Sequence, residues 1–412
     1  MDKTIKDKVN NKDVILIYSV LLYLFILVPV YNFLPAVQPA IVLTALLGFV
    51  LLQSRKSGFL KHLAVRRLIY FFVWSVFCSI FAQYPDAAYK TEGKLFIVVV
   101  YMLIIASVAS KSLNHVYTVY RAYILILVLL ILIGFSSKNI DSVSSVNASA
   151  RTADENLLNI DPNSYGYFIF FGLSFAFILY TTIRRNTLDK VKLSILIFLS
   201  FLMTLYTASR GGYIVFALVT TLNTLVLLLQ SQLKKGRKAL FFLVVIVIIP
   251  LAYLNFYTVI EGTALEQRFV VAQEEETPRI LHVLEATRVG LTNPVIGVGG
   301  GNYAFVPRAF EQGLFSHNSF AEAFASYGFP GLMLFLYFYA DFFNKLRKAY
   351  QDPEIVDKRA LLYLAIFFMS FLAYNVFYVT YLTVEFMGAY IVAYIHLKFI
   401  LSNKTTVTIT SG

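Results

Sequence analysis

The sequence predicts an all-α integral membrane protein of about twelve transmembrane helices, and three observations predict it. Hydrophobic residues fill 58% of the 412 positions and charged residues only 14%, with a mean hydropathy of +0.71, whereas soluble domains carry about 25% charged residues. Apolar runs long enough to cross a bilayer recur from one terminus to the other. Lys and Arg concentrate in alternate connections between these runs. We therefore expect one polytopic membrane domain over residues 1–412.

Each span must be a helix of roughly 17 to 25 mostly apolar residues, because lipid offers the backbone no hydrogen-bond partners. The expected spans are Val14–Leu34, Val37–Gln53, Leu68–Ala82, Leu95–Ala109, Val116–Phe135, Tyr165–Ile183, Leu193–Tyr206, Tyr213–Leu229, Ala239–Tyr257, Phe320–Phe343, Leu361–Tyr374 and Leu382–Ile400. The charged amino terminus enters the first span without a small-residue cleavage site, so we interpret it as uncleaved. A large, partly helical outer loop, residues 258–319, is expected between spans nine and ten.

The basic residues predict the orientation. With both termini inside, the cytoplasmic segments are residues 1–13, 54–67, 110–121, 184–192, 231–238, 344–360 and the tail. Together with Lys398 they hold 26 of the 35 Lys and Arg residues, as the positive-inside rule requires. Basic residues spread over many loops form no single face for nucleic acid. The lone cysteine, Cys78, lies in an apolar run and is interpreted as packing.

Three outer segments carry residues suited to chemistry. In the short connection before the eighth span, Arg210 sits between apolar runs and is followed by two glycines. A charge at this depth usually has a partner or a task, and a guanidinium suits phosphate, although an arginine reaching the interface to cap a helix is the structural alternative. The segment Asp161-Pro162-Asn163 precedes a span and is also typical of a plain helix start.

The long loop contains a helical pattern from Arg279 to Leu291, on which Arg279, His282, Glu285 and Arg288 recur at a spacing of three. For His282 and Glu285 we favour a solvated polar face with ordinary ion pairing over an anion-binding, catalytic or metal-binding face. The following run, Gly297 to Tyr303, lacks the ending of a nucleotide phosphate-binding loop and is expected to be a tight turn, whose free amides could still hold an oxyanion.

His317 and Asn318 precede a span that is interrupted at Gly328-Phe329-Pro330-Gly331. The interruption predicts a kinked or re-entrant helix, which is tolerated only against protein or water. Taken alone, an interfacial histidine is more often structural. Glu322 lies five residues after His317, on another face of the helix, so it is a weak candidate to orient the imidazole.

Together these motifs resemble the signature of the O-antigen ligase and O-antigen polymerase superfamily. The resemblance covers residues 161–331 and holds four motifs in matching order. They are Asp161-Pro162-Asn163, Ser209-Arg210-Gly211, Arg279 with Asn293-Pro294 and Gly297-Val298-Gly299, and His317-Asn318 with Gly328 and Gly331. The resemblance implies a cofactor-free, metal-independent, inverting glycosyltransferase at the periplasmic face of the bacterial inner membrane.

The implied donor is an undecaprenyl-diphosphate-linked glycan. The acceptor is lipid A-core for a ligase, which the fit of the His-Asn to Gly-Gly run favours, or a second lipid-linked repeat unit for a polymerase. Arg210 and Arg279 would clamp the diphosphate. His317 would be the general base, since an ordinary histidine pKa of about 6.5 suits proton transfer at neutral pH. Further substrate-binding candidates are Arg288, Asn318, Asp161, Asn163, Ser209 and Gly211.

Two interpretations from other functional classes remain open. A twelve-span transporter or flippase would have similar length and composition, but transporters place charges near the midplane and show paired halves. Here the halves differ, and the distinctive charges collect in the outer loops. A non-catalytic scaffold of the envelope machinery is the other alternative, and membrane lipids are partners in every case.

Overall fold

The computed structural model describes residues 62–136, 162–183, 187–207, 210–229, 280–306, 315–355 and 358–402. Throughout these ranges the regular secondary structure is helical and no strand occurs. Three of the expected spans, Val14–Leu34, Val37–Gln53 and Ala239–Tyr257, lie outside the described residues, so the total of about twelve stays a prediction.

Ten helices in the described ranges are labelled in chain order. They are α1 (Leu63–Ser79), α2 (Pro85–Ala109), α3 (Leu113–Ser136), α4 (Pro162–Ile178), α5 (Thr187–Thr207), α6 (Arg210–Leu229), α7 (280–292), α8 (Ser319–Gln351), α9 (Arg359–Phe377) and α10 (Val384–Ser402). A π-helical turn, Leu179–Ile183, extends α4, and a 3₁₀ turn, Asn302–Phe305, follows α7.

Six of the described helices are long and apolar enough to cross a membrane: α2, α3, α6, α8, α9 and α10. Their number shows a multi-pass membrane protein. Two of them, α2 and α8, extend furthest beyond the expected spans. Helix α2 begins ten residues before Leu95, at Pro85, because proline is pre-organised for the first helical turn. Helix α8 continues past Phe343 through a polar stretch to Gln351.

The centre of the bundle is filled by aromatic side chains of α4 and its neighbours. Phe170 is fully buried and its ring stacks on Phe367 of α9 at 5.4 Å. Helices α4 and α6 approach closely at their starts, since a Cβ added to Gly166 would lie 2.8 Å from Cα of Gly212 and 2.8 Å from Oη of Tyr374. Only a residue without a side chain fits at that crossing.

The interruption expected in α8 is confirmed at Gly328, where φ is 69° and ψ is −171°. Backbone carbonyls near the kink accept hydrogen bonds from other elements. Nε1 of Trp74 donates to the Tyr327 carbonyl at 2.9 Å, and the Val298 amide donates to the Ala325 carbonyl at 2.9 Å. The kink is therefore held from both sides by tertiary hydrogen bonds.

The described helix termini separate into two groups. At one end, His62 bonds Ser110 at 2.7 Å and Lys345 pairs with Asp341 at 2.8 Å. This end brings together segments that the sequence assigns to the cytoplasm. At the other end lie the starts of α2 and α8 and the end of α9, which we call the site end.

Candidate functional site

Helix α8 begins at the site end because Asn318 caps it. Oδ1 of Asn318 accepts from the Phe320 and Ala321 amides at 2.9 and 3.0 Å, which are donors that a helix start leaves unpaired. Nδ2 of Asn318 donates to the Val376 carbonyl of α9 at 3.2 Å. The side chain thus fixes where α8 starts and joins that start to α9.

His317, the residue before the cap, has a φ of 57°. It is the one non-glycine residue in the described ranges with a positive φ. Such a conformation costs about 1 to 3 kcal/mol and persists only where the surroundings impose it. The side chain of His317 is partly exposed, so a strained backbone presents an accessible imidazole at the site end.

Ser316, the residue before His317, is held by two hydrogen bonds. The amide of Ser316, which is fully buried, donates to Oε2 of Glu322 at 2.8 Å. Its hydroxyl donates to the Asn318 carbonyl at 2.9 Å. Glu322 is 1% exposed, and it braces the backbone that precedes His317, a role that the sequence did not predict.

The end of α9 links this segment to the helices that begin in the other motifs. The Ser319 hydroxyl donates to the Tyr378 carbonyl at 2.7 Å, and the Tyr378 ring lies 6.2 Å from that of Tyr167 in α4. Gly166, the residue before Tyr167, contacts α6 near its start. The starts of α4, α6 and α8 therefore share the site end.

Several predicted site residues are located only in part. Asn163, Arg210 and Gly211 lie in the first turns of α4 and α6, at the site end. Asp161, Ser209 and Arg279 lie outside the described residues. The convergence of Arg210, Arg279 and His317 therefore stays a prediction.

Helix α7 places His282 beside His317. The two ring centroids are 6.1 Å apart and the ring planes meet at 78°. His282 is 1% exposed, so the expected solvated polar face is wrong at this position. The sequence contains a pattern that predicts this burial. His282, Ala286 and Val289 recur at the spacing of a buried helical stripe.

Glu285 and Arg288 form the ordinary ion pair that the sequence favoured. Nε and Nη2 of Arg288 donate to the two carboxylate oxygens of Glu285 at 2.8 and 2.5 Å. These hydrogen bonds and the carboxylate charge raise the pKa of Arg288 above its usual value. The Arg288 side chain is 57% exposed, so a phosphate would have to compete with an existing bidentate partner.

The O-antigen ligase family model matches residues 195–336. Those residues are similar to the O-antigen ligase family. The match includes α6, α7, the His317 segment and the kink of α8, and it confirms the resemblance drawn from the motifs. No curated protein matches the chain significantly.

Within the O-antigen ligase region, the loop from Gly297 is a series of turns, as expected. Its amides are not all free for an oxyanion, because those of Val298 and Gly299 donate to the Ala325 and Ser326 carbonyls, each at 2.9 Å. That interpretation is wrong for these two groups. The loop serves instead as the end cap of the first part of α8.

A carboxylate outside the O-antigen ligase region secures the same loop. Glu92 of α2 accepts from the hydroxyls of Ser75, Ser79 and Tyr327 at 2.6, 2.8 and 3.1 Å, and the Gly300 amide donates to Oγ of Ser79 at 3.0 Å. Sequence analysis missed Glu92, because its partners are distant in the chain or lie on another helix. In the described ranges no group of three or more His, Cys, Asp or Glu side chains could hold a metal ion.

An apolar groove runs between α8 and α9 from the site end toward the opposite end. Its volume is about 540 Å³, and its lining includes Phe320, Leu336, Tyr339, Phe343, Phe368 and Val376. The groove starts beside the capping residue Asn318, which bonds the Val376 carbonyl. Within the described ranges, an apolar groove between two candidate membrane spans therefore begins next to the His317 segment.

Proposed function

We propose that this protein transfers a glycan from an undecaprenyl-diphosphate carrier to an acceptor hydroxyl at the periplasmic face of the inner membrane. The observation that carries the proposal is the conformation of His317. Its accessible imidazole lies on a strained backbone at the site end, where α4, α6 and α8 start. Strain imposed at one residue motivates a hypothesis of function there. The O-antigen ligase match over residues 195–336 supports the reaction class.

In the proposed reaction, the acceptor oxygen attacks the anomeric carbon of the lipid-linked sugar and His317 takes the hydroxyl proton. The bond from the anomeric carbon to the diphosphate oxygen breaks, and undecaprenyl diphosphate leaves with the bonding electrons. Attack opposite the leaving group inverts the anomeric configuration. No metal is required, because Arg210 and Arg279 balance the charge that develops on the leaving diphosphate.

The groove between α8 and α9 supports a lipid-linked donor. A polyprenyl chain is apolar along its length, and the groove lining is aromatic and aliphatic. Because the groove begins beside Asn318, a chain lying in it would bring its headgroup to the His317 segment. A donor carried by a soluble nucleotide would make no use of this groove.

We favour an O-antigen ligase, with lipid A-core as the acceptor, over a polymerase. The test is deletion of the gene in its native host, followed by complementation with wild type, Arg210→Ala, His317→Ala and the control Arg66→Ala, which changes an exposed arginine at the opposite end. Lipopolysaccharide is then separated on a gel, and lipid-linked glycan is measured in parallel.

A ligase predicts loss of all long-chain lipopolysaccharide, with full-length polymer accumulating on the carrier. Core capped by a single repeat unit would indicate a polymerase. The Arg210 and His317 variants should behave like the deletion and Arg66→Ala like wild type. An unchanged ladder after deletion would contradict both activities and favour a transporter or another glycan.

A further inference from the structure

The imidazole of His317 needs a second element to orient it. Its backbone is fixed by the bonds of Ser316 and Asn318 on either side, but these bonds do not set the side chain. The second torsion of a histidine side chain is broad and roughly two-fold. Some neighbour must therefore select the direction in which the ring nitrogens point.

His282 is that neighbour. Its ring meets the His317 ring at 78° with a centroid separation of 6.1 Å, within the range of edge-to-face aromatic contacts. An edge-to-face contact depends on orientation, so rotation of the His317 ring would lose it. The pair joins α7 to the residue before the cap of α8.

The backbone that carries His282 is held by contacts with other elements. The Tyr303 hydroxyl, from a fully buried side chain, donates to the His282 carbonyl at 2.7 Å. One turn and two turns further along α7, Ala286 and Val289 pack against Ala321 and Ala325 of α8. The helix that carries His282 is thus locked to the helix that His317 precedes.

We propose that His282 is a positioning residue, whose ring holds the His317 imidazole toward the acceptor hydroxyl. This inference rests on the proposed function, since it assigns a role in that reaction. His282 touches neither substrate in the proposal and acts only through His317. Misplacement of a reacting group by about 1 Å can cost roughly 100-fold in rate, so loss of the ring contact should slow transfer.

Charged side chains of α7 and α8 make bonds that do not include either imidazole ring. Glu322 of α8 binds the Ser316 amide, and Glu285 and Arg288 of α7 bind each other. None of these contacts is altered by replacing the His282 ring. These bonds of Ser316, Glu285 and Arg288 are thus shared by wild type and the His282 variants.

The test uses the full-length protein in lipid nanodiscs, with lipid-linked glycan and acceptor extracted from the native host. The variants are His282→Ala, His282→Phe and His317→Ala, with Val289→Ala as the control for packing of α7. Val289 is 2% exposed and belongs to the same packed surface. Turnover, KM for the donor and thermal unfolding are measured for each variant.

His282→Ala should lower kcat about 10- to 100-fold and leave KM for the donor within about twofold. His282→Phe keeps an aromatic ring at the contact and should retain at least about a third of wild-type kcat. Val289→Ala should lower the unfolding temperature but keep kcat near wild type. A merely structural role for His282 would instead lower stability and leave kcat unchanged.

The inference is overturned if His282→Ala turns over at wild-type rate, or if His282→Phe is no better than His282→Ala. The proposed function fails separately, and this inference falls with it, if wild type forms no glycan product or His317→Ala is fully active. Wild-type transfer that is lost in His317→Ala and kept in His282→Ala would reject the positioning role alone.

Discussion

Replacing Gly328 with alanine should break the connection between the kink of α8 and the loop that caps it. Gly328 has a φ of 69° and a ψ of −171°, a region that residues with a side chain almost never occupy. Forcing alanine into it costs about 1 to 3 kcal/mol. The added Cβ would also lie 2.4 Å from the Val295 carbonyl oxygen.

That overlap is with backbone, so no side chain can rotate away, and overpacking of this kind costs about 1 to 3 kcal/mol more. The two contributions together amount to about 2 to 6 kcal/mol. If α8 moved to relieve this overlap, the hydrogen bond from the Phe329 amide to the Pro294 carbonyl, which is 2.7 Å long, would lengthen. The shift would reach His317 through the first part of α8.

The assay is thermal unfolding in one detergent together with glycan transfer in membranes. Gly93→Ala is the matched control, because an added Cβ there meets nothing within 4 Å in the interior of α2, and helix propensity alone should stabilise it by about 0.5 to 1 kcal/mol. Gly328→Ala should unfold at a lower temperature and lose transfer. Equal unfolding temperatures and activities for the two variants would refute the reasoning.

Three further predictions concern separate contacts. Gly166→Ala should destabilise the protein by about 1 to 3 kcal/mol and lower transfer, because its Cβ would strike Gly212 near the start of α6; stability equal to Gly93→Ala would contradict this. Asn318→Ala should cost about 0.5 to 2 kcal/mol by removing the cap of α8, whereas Asn318→Asp keeps the accepting oxygen and should unfold closer to wild type. Burial, followed by the charges of Lys398 and Lys345, lowers the pKa of His62 to about 4, against about 6.5 in the unfolded chain. The neutral imidazole therefore stabilises the fold fully above about pH 6.5, and this stability is lost as the pH falls toward 4; the unfolding temperature should drop more steeply across that window in wild type than in His62→Gln.

Apart from α7, the described helices overlap the spans that hydropathy predicted, because the requirement for an apolar helix in lipid acts on each segment separately. The break at Gly328 was equally predictable, since glycine and proline limit the backbone locally. The same holds for the ion pair of Glu285 and Arg288, which are three residues apart on one helix. In each case the partners are close in the sequence.

The sequence by itself determined that the protein is helical and apolar, where α8 is interrupted and which motifs resemble the O-antigen ligase family. Only the tertiary structure decided that His282 is buried against His317, that Glu322 braces Ser316 and that Glu92 secures the glycine loop. Helical periodicity shows which residues share a face, but not which surface that face meets. That surface depends on packing between segments hundreds of residues apart, such as Tyr327 with Glu92.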